Sequence, residues 1–247
     1  MDKIVKTFRG HSGSDIVLIE KDNSLFVRKT GNVERNYLRL SALKSSGFNV
    51  PQIYAYDRVD LYMEYVHGLD MATFLKYGEV NALSDFLIKT LKQFSEDSVA
   101  YDYTPIYEKK LEWIDKEELP FSKEEFIDSL PKFLPKSTYH GDFTLENIIY
   151  SDTEGFRMID AVEIEYDSFI FDIAKLRQDL HCKWFIRDSK TKLDVKLSHI
   201  EQNILSEFPV ASNDNLLIAM LLRVFLHSKQ GDKEYNFLMK EIKKLWK

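Results

Sequence analysis

The stretch Thr138–Asp152 reads TYHGDFTLENIIYSD. In it, His140-Gly141-Asp142 is followed by four unlike residues, then Asn147, then the apolar run Ile148-Ile149-Tyr150. Ser151 to Gly155 has turn composition, and a second short strand, Phe156 to Ile159, delivers Asp160. Such a hairpin brings Asp142, Asn147 and Asp160 towards one end. Two carboxylates and an amide oxygen suit a hard cation such as Mg²⁺, which takes oxygen ligands. They suit zinc poorly, because its nitrogen and sulfur ligands are missing. A single Asp or Asn in a turn is ordinarily a cap or an Asx-turn. Turn chemistry does not require all three at this spacing.

Composition narrows the surroundings of this stretch. The chain has 247 residues, 44 % of them hydrophobic, which suits one large domain or two lobes around a cleft. Lys and Arg total 34 against 40 Asp and Glu, a net charge of −6, which argues against a nucleic-acid binder. Cys182 is the only cysteine, so an internal disulfide is excluded and a reducing cytoplasm is expected. The N-terminal stretch Met1–Asp15 lacks an apolar core of signal-peptide length. The most apolar segment, Asn215–Ser228, carries Arg223 and falls short of the ~18 apolar residues of a membrane span. It reads as a buried core helix, and no membrane contact is expected.

The first part of the chain is rich in strand signals. Ile16–Ile19 and Leu25–Val27 are short β-branched and aromatic runs, with a hairpin turn at Lys21–Ser24. A helix follows near Val33–Ser45, its stripe drawn from Leu38, Leu40 and Leu43. Gly47 and Pro51 end it, and strands return at Gln52–Tyr56 and Leu61–Val66. After Gly68 helices dominate. Leu83, Phe86, Leu87, Leu91 and Phe94 share one face, and Ser122 with Glu125 forms a capping box. Pro131 and Pro135 break the chain ahead of the stretch quoted above.

Protein kinases place a catalytic Asp, four residues, an Asn, and then a later Asp on Mg²⁺. The layout here is similar. HGD-x4-N followed by Ile159-Asp160 resembles the aminoglycoside phosphotransferase and choline kinase family, small-molecule kinases with a protein-kinase-like fold. The resemblance runs over nearly the whole chain. It implies an α+β, bilobal fold: a small β-rich nucleotide-binding lobe over residues 1–66, and a larger, mainly helical catalytic and acceptor-binding lobe over 67–247. It also implies ATP and Mg²⁺ as cofactors, with Asp142 as the base and Asn147 and Asp160 on the metal.

Further residues follow from the same resemblance. Gly10–Ser14 lies where such kinases place a phosphate-covering loop, so the backbone of Ser12, Gly13 and Ser14 would cradle phosphate. Glu34 matches the Glu that pairs with the ATP-binding basic residue. The Glu64 carbonyl and Val66 amide match the hinge that holds the adenine edge. The basic residue is Lys29 or Arg28, which lie on opposite faces of one strand. Lys29 is preferred, because it sets Val27 beside the adenine as in the alternating V-A-I-K of kinase strands. Asp172 matches the family's second aspartate and is expected to cap a helix and brace the catalytic loop. Two features depart from the kinase pattern: Asp160 is followed by Ala161-Val162, not Phe-Gly, and Glu163 and Glu165 have no assigned role.

The expected function is transfer of the γ-phosphate of ATP to a hydroxyl of a small molecule: an amino alcohol, a sugar or an aminoglycoside. Glu163, Glu165, Tyr166, Asp179 and Trp184 are positional candidates for the acceptor pocket. A monomer or homodimer is expected. A protein kinase would carry an activation segment and an Ala-Pro-Glu motif after the metal Asp, but Asp172 arrives twelve residues after Asp160. A nucleotide-binding pseudokinase or regulatory scaffold is the alternative from another class. Its usual mark is loss of the base or a metal ligand, and here all three are kept.

Overall fold

The structure is a computed structural model that describes residues 3–8 and 14–246. The N-terminal part forms strands β1 (Lys3–Phe8), β2 (Asp15–Lys21) and β3 (Ser24–Thr30), helix α1 (Glu34–Ser45), then β4 (Ile53–Tyr56), β5 (Asp60–Glu64) and the short β6 (Leu69–Asp70). Helices α2 (Met71–Tyr77) and α3 (Val80–Ser95), strand β7 (Val99–Asp102), helices α4 (Thr104–Lys110) and α5 (Lys123–Ser129) and strand β8 (Phe133–Lys136) follow. The hairpin β9 (Ile148–Ser151) and β10 (Gly155–Met158) precedes α6 (Phe169–Leu180), α7 (Asp194–Glu207), α8 (Asp214–Phe225) and α9 (Lys233–Leu245). The chain divides into two compact units, Met1–Phe74 with His140–Ile164, and Leu75–Tyr139 with Glu165–Lys247. The hairpin that carries Asn147 and Asp160 thus belongs with the N-terminal strands.

In the first unit an antiparallel sheet runs in the order β1-β2-β3-β5-β4. Asp22 and Asn23, at φ 50° and 62°, make the two-residue turn between β2 and β3. Positive φ at both positions matches the twist of the flanking strands, and Asp and Asn tolerate it. Helix α1 buries Asn36, Arg39, Leu40 and Leu43, the i, i+3, i+4, i+7 set of one helical face. Leu38, expected on that stripe, is instead 49 % exposed. Two residues along a helix are about 200° around it, so Leu38 cannot share a face with Leu40. A second sheet, β10-β9-β6, sets Met158 opposite Ile148 and Gly155 opposite Ser151. Its register places the end of β10 beside the start of β9, where Asn147 stands.

The second unit is built on α6, all of whose residues are buried. Helix α6 packs on α8, α8 on α9, and α3 on α7. The segment read as a core helix is α8, with Leu216 to Leu222 buried. The Ser122–Glu125 capping box is present at the start of α5. Arg177 on α6 is buried and donates to Glu201 at 2.9 Å, Asp214 at 2.7 Å and the Ala211 carbonyl at 3.1 Å. Strands β7 and β8 form a separate antiparallel pair. Among the described residues, no helix is long and apolar enough to cross a membrane.

Candidate active site

The loop before β9 is held by its backbone. Gly141 adopts φ +90°, and a Cβ there would meet the Val162 carbonyl oxygen at 2.0 Å. Only glycine fits so close an approach at that φ. Val162 N–H in turn donates to the His140 carbonyl at 3.0 Å. The His140 ring is fully buried. Its Nδ1 accepts the Asp142 backbone N–H at 3.3 Å, and the ring also faces the Ile159 backbone. Burial pushes its pKa down to about 4, against the pull of nearby Asp142. His140 is therefore a neutral acceptor at physiological pH that ties the loop down.

Asn147 fixes Asp142. Its Nδ2 donates to the Asp142 carbonyl at 2.8 Å and to Asp142 Oδ2 at 3.0 Å. With the amide nitrogen so used, Oδ1 of Asn147 accepts no hydrogen bond from the described residues. Ile159 N–H donates to the Asn147 backbone carbonyl at 2.9 Å, which brings the chain entering Asp160 against Asn147.

Asp160 itself lies in the left-handed region at φ 55°, uncommon for a residue with a side chain and frequent at functional sites. Lys29 Nζ donates to its Oδ1 at 2.6 Å. The Lys29 side chain is 4 % exposed and that of Asp160 37 %. Although solvent reaches part of Asp160, protein encloses it closely enough that desolvation raises its carboxyl above the usual range. Lys29 acts against that rise, and Asp142 adds to it. The Lys29 contact thus favours the ionised carboxylate, and burial the neutral one. Asn36, on the buried face of α1, also reaches the site. Its Nδ2 lies 3.0 Å from Asp160 Oδ1 and 2.9 Å from the Ala161 carbonyl.

Of the residues named from the sequence, Asp142, Asn147, Asp160 and Lys29 thus gather in the first unit. Arg28 is half-buried on the opposite face of β3. Glu34 is exposed in the first turn of α1, and the Lys29 ammonium meets Asp160 instead. Ser12 and Gly13 lie outside the described residues, while Ser14 is buried just before β2. Strand β5 ends at Glu64, and Val66 is buried beyond it. The Glu64 side chain is bound in a bidentate pair by Arg157.

The helix cap expected of Asp172 is supplied by Ser168, which accepts from Ile170 N–H. Asp172 is buried in the turn that follows. The acceptor-pocket candidates are shared between the two units. Glu163 is tied to α1 of the first unit through Arg35 and Arg39. In the second unit, Glu165 is held by Lys109 and Lys110, which keep its carboxyl below the usual range. Asp179 is fully buried and accepts from Phe185 N–H. Trp184 packs beneath the Arg187 guanidinium and against Phe237. The residues that sequence reasoning missed are Asn36 and Arg157. Neither carries a motif, and their partners lie 124 and 93 residues away.

The donor set fits Mg²⁺. Among the described residues no group of three or more His, Cys, Asp or Glu could hold a metal. Mg²⁺ is ordinarily held by one or two carboxylates and oxygens of a bound phosphate ligand rather than by a dedicated all-protein cage. Asp160 and Asn147 each retain one side-chain oxygen that accepts no hydrogen bond from the described residues.

No protein-family model matches the sequence, and no curated protein does. Solved structures match it over nearly its whole length. The chain is similar to the choline kinase LicA from Streptococcus pneumoniae, at 16 % identity and a TM-score of 0.58, covering 98 % of this chain and 94 % of that one. It is similar to an ethanolamine kinase from Plasmodium vivax, at 13 % identity and a TM-score of 0.60, covering 100 % and 82 %. It is also similar to the aminoglycoside phosphotransferase APH(4)-Ia, at 9 % identity and a TM-score of 0.64, covering 98 % and 93 %. The fold is protein-kinase-like. It is the α+β fold that the HGD-x4-N resemblance implied, with a small antiparallel sheet in the N-lobe and a helical C-lobe. Identities this low carry the fold and leave the reaction to be argued from the site.

Proposed function

We propose that this chain is an ATP- and Mg²⁺-dependent phosphotransferase that moves the γ-phosphate to a hydroxyl of a small molecule. The observation that carries this reading is the cluster in the first unit: Asn147 holding Asp142 at 3.0 Å, and Lys29 holding Asp160 at 2.6 Å. The fold adds support, since its solved neighbours include choline and ethanolamine kinases and aminoglycoside phosphotransferases. One of them, LicA, is also solved in complex with AMP.

In this reading Asp142 orients the acceptor hydroxyl and takes its proton. The acceptor oxygen forms a bond to the γ-phosphorus, the bond from that phosphorus to the bridging oxygen breaks, and ADP leaves with the electron pair. Asn147 holds the base in place through two hydrogen bonds from one amide. Asp160 and the Asn147 oxygen would hold Mg²⁺, which when bound neutralises charge on the phosphates. Such transfer gains chiefly from positioning and charge stabilisation. Lys29 keeps its contact with Asp160 and offers its remaining N–H groups to phosphate. The Glu64 carbonyl and Val66 N–H serve the adenine edge. A pseudokinase is disfavoured by the retained base and metal residues.

The test is ADP release across a panel of amino alcohols, sugars and aminoglycosides, with Mg²⁺ present and then chelated. Metal-dependent release with one acceptor class supports the reading and names the class. ATP binding without turnover on any alcohol would favour the scaffold alternative.

A further inference from the structure

The resemblance matched Glu34, in the first turn of α1, to a partner of the ATP-binding basic residue, and gave α1 no contact with Asp160. Such a contact is made by Asn36, one residue past Arg35 on α1. Asn36, 5 % exposed, donates to Asp160 Oδ1 at 3.0 Å and to the Ala161 carbonyl at 2.9 Å. The next contacts run the same way. Arg35 Nε donates to the Glu163 carbonyl at 2.6 Å, and Glu163 N–H donates to the Arg35 carbonyl at 3.0 Å. Arg39 lies 3.8 Å from the Glu163 carboxylate. Residues 160–163 are thereby tied to the first turns of α1 at both ends, which also gives Glu163 a place.

We propose that Asn36 is a positioning residue that determines which oxygen of Asp160 faces the cation. The proposal rests on the phosphotransfer reading above. Lys29 and Asn36 both donate to Oδ1, at 2.6 and 3.0 Å. Oδ2 takes no hydrogen bond from the described residues, and 37 % of the Asp160 side chain is accessible. The two donors hold Oδ1 inward and leave Oδ2 for a metal. The second Asn36 bond, to the Ala161 carbonyl, holds the peptide that follows the left-handed Asp160.

The side chain has to be an amide for this task. A carboxylate at position 36 would repel Asp160 and compete for Lys29. An aliphatic side chain would leave the Ala161 carbonyl without this donor and let the Asp160 carboxylate turn. An amide donates to both oxygens and adds no charge.

The experiment is Mn²⁺ binding to the full chain in the presence of ADP, followed by electron paramagnetic resonance. The parent is compared with Asp160→Ala, Asn36→Leu and Asn36→Asp, with melting temperature and metal-free ADP affinity measured alongside. ADP removes turnover from the readout. The parent should take up Mn²⁺ with ADP, and Asp160→Ala should lose it. Both Asn36 variants should bind Mn²⁺ about tenfold or more weakly, the range seen when a residue supporting a metal ligand is removed. The metal-free ADP affinity of Asn36→Leu should stay near the parent's. If Asn36→Leu does not fold, Asn36→Asp, equal in size to the parent residue, carries the test. Parent-like Mn²⁺ binding by the folded Asn36 variants, with Asp160→Ala defective, would overturn this proposal alone. Absence of ADP-dependent Mn²⁺ uptake in the parent would overturn the phosphotransfer reading and this proposal with it.

Discussion

Arg157 on β10 grips Glu64 at the end of β5 with both terminal nitrogens, Nη1 to Oε1 at 2.6 Å and Nη2 to Oε2 at 2.7 Å. Such bidentate pairs fix geometry as well as adding energy. Arg157 Nη2 also donates to the Val50 carbonyl at 3.1 Å, and Glu64 Oε2 accepts Gln52 N–H at 2.9 Å. The end of β5 is thus bonded to the strand that delivers Asp160.

Breaking this pair from one side should be costly. The Arg157 side chain is 4 % exposed, so Glu64→Ala leaves a buried guanidinium with only Glu154, at 2.8 Å, as a carboxylate partner and should destabilise by about 2 kcal/mol. Arg157→Met combined with Glu64→Ala should cost clearly less than the two single changes added together. Urea melts of the four proteins give the coupling, and strict additivity would show that the pair does not act as a unit. The Arg157 hydrogen bonds hold the Glu64 carboxyl below its usual range, against desolvation. Its contribution is therefore present above the ordinary carboxylate range and fades as pH falls through the lowered value.

His140 sets a second pH dependence. Its folded pKa is about 4, below the ordinary histidine value, so the unfolded chain binds the extra proton first. Stability contributed by the neutral ring should fall as pH drops from about 6.5 towards 4, by at most about 1.4 kcal/mol per pH unit. Melts between pH 7 and 5 should show a shallower slope in His140→Gln than in the parent, whatever its baseline. Equal slopes would mean the ring is not buried in its neutral form.

Gly141→Ala should be among the most damaging single-atom additions. The added carbon meets the Val162 carbonyl at 2.0 Å where φ is +90°. Backbone strain of that kind costs about 1–3 kcal/mol even without the clash. Gly155 is the internal control, since its φ is +71° but nothing lies within 4 Å of an added Cβ. Gly141→Ala melting no lower than Gly155→Ala would contradict the close packing of the loop.

Lys29 and Arg28 separate by burial and partner. Lys29 is buried against Asp160, whereas Arg28 is half-buried across the strand. Lys29→Ala should raise the KM for ATP and lower turnover, and Arg28→Ala should do markedly less. The reverse order would place phosphate on the other face of β3.

How far the sequence could be read follows from how local each feature is. The Asp22-Asn23 turn, the Ser122–Glu125 box, the α8 core helix and the β9–β10 hairpin are all set by residues a few positions apart, and each was visible in order. The convergence of Asp142, Asn147 and Asp160 was legible because one hairpin carries it. Asn36 was not, since an amide in a helix has no motif, and its bonding depends on a chain segment far downstream. Glu34 and Asn36 stand about 200° apart around the helix, so reading one of them says nothing of the other. The β7–β8 pair was hidden by Pro135, read as a break. Pro135 pairs with Ala100 there, and a two-stranded ribbon has only edge strands, where proline is tolerated. The Arg157–Glu64 pair, 93 residues apart, left no local trace at all.

The central claim is that Asp142 is the base of a phosphoryl transfer to a small hydroxyl acceptor. The most direct measurement is transfer of radiolabelled γ-phosphate from ATP to the best acceptor of the panel, by the parent and by Asp142→Asn, with melting temperature and ATP affinity measured on both. The account predicts that the variant folds and binds ATP nearly as the parent does, while transfer falls by about a hundredfold or more. Transfer by Asp142→Asn at a rate close to the parent's would contradict it.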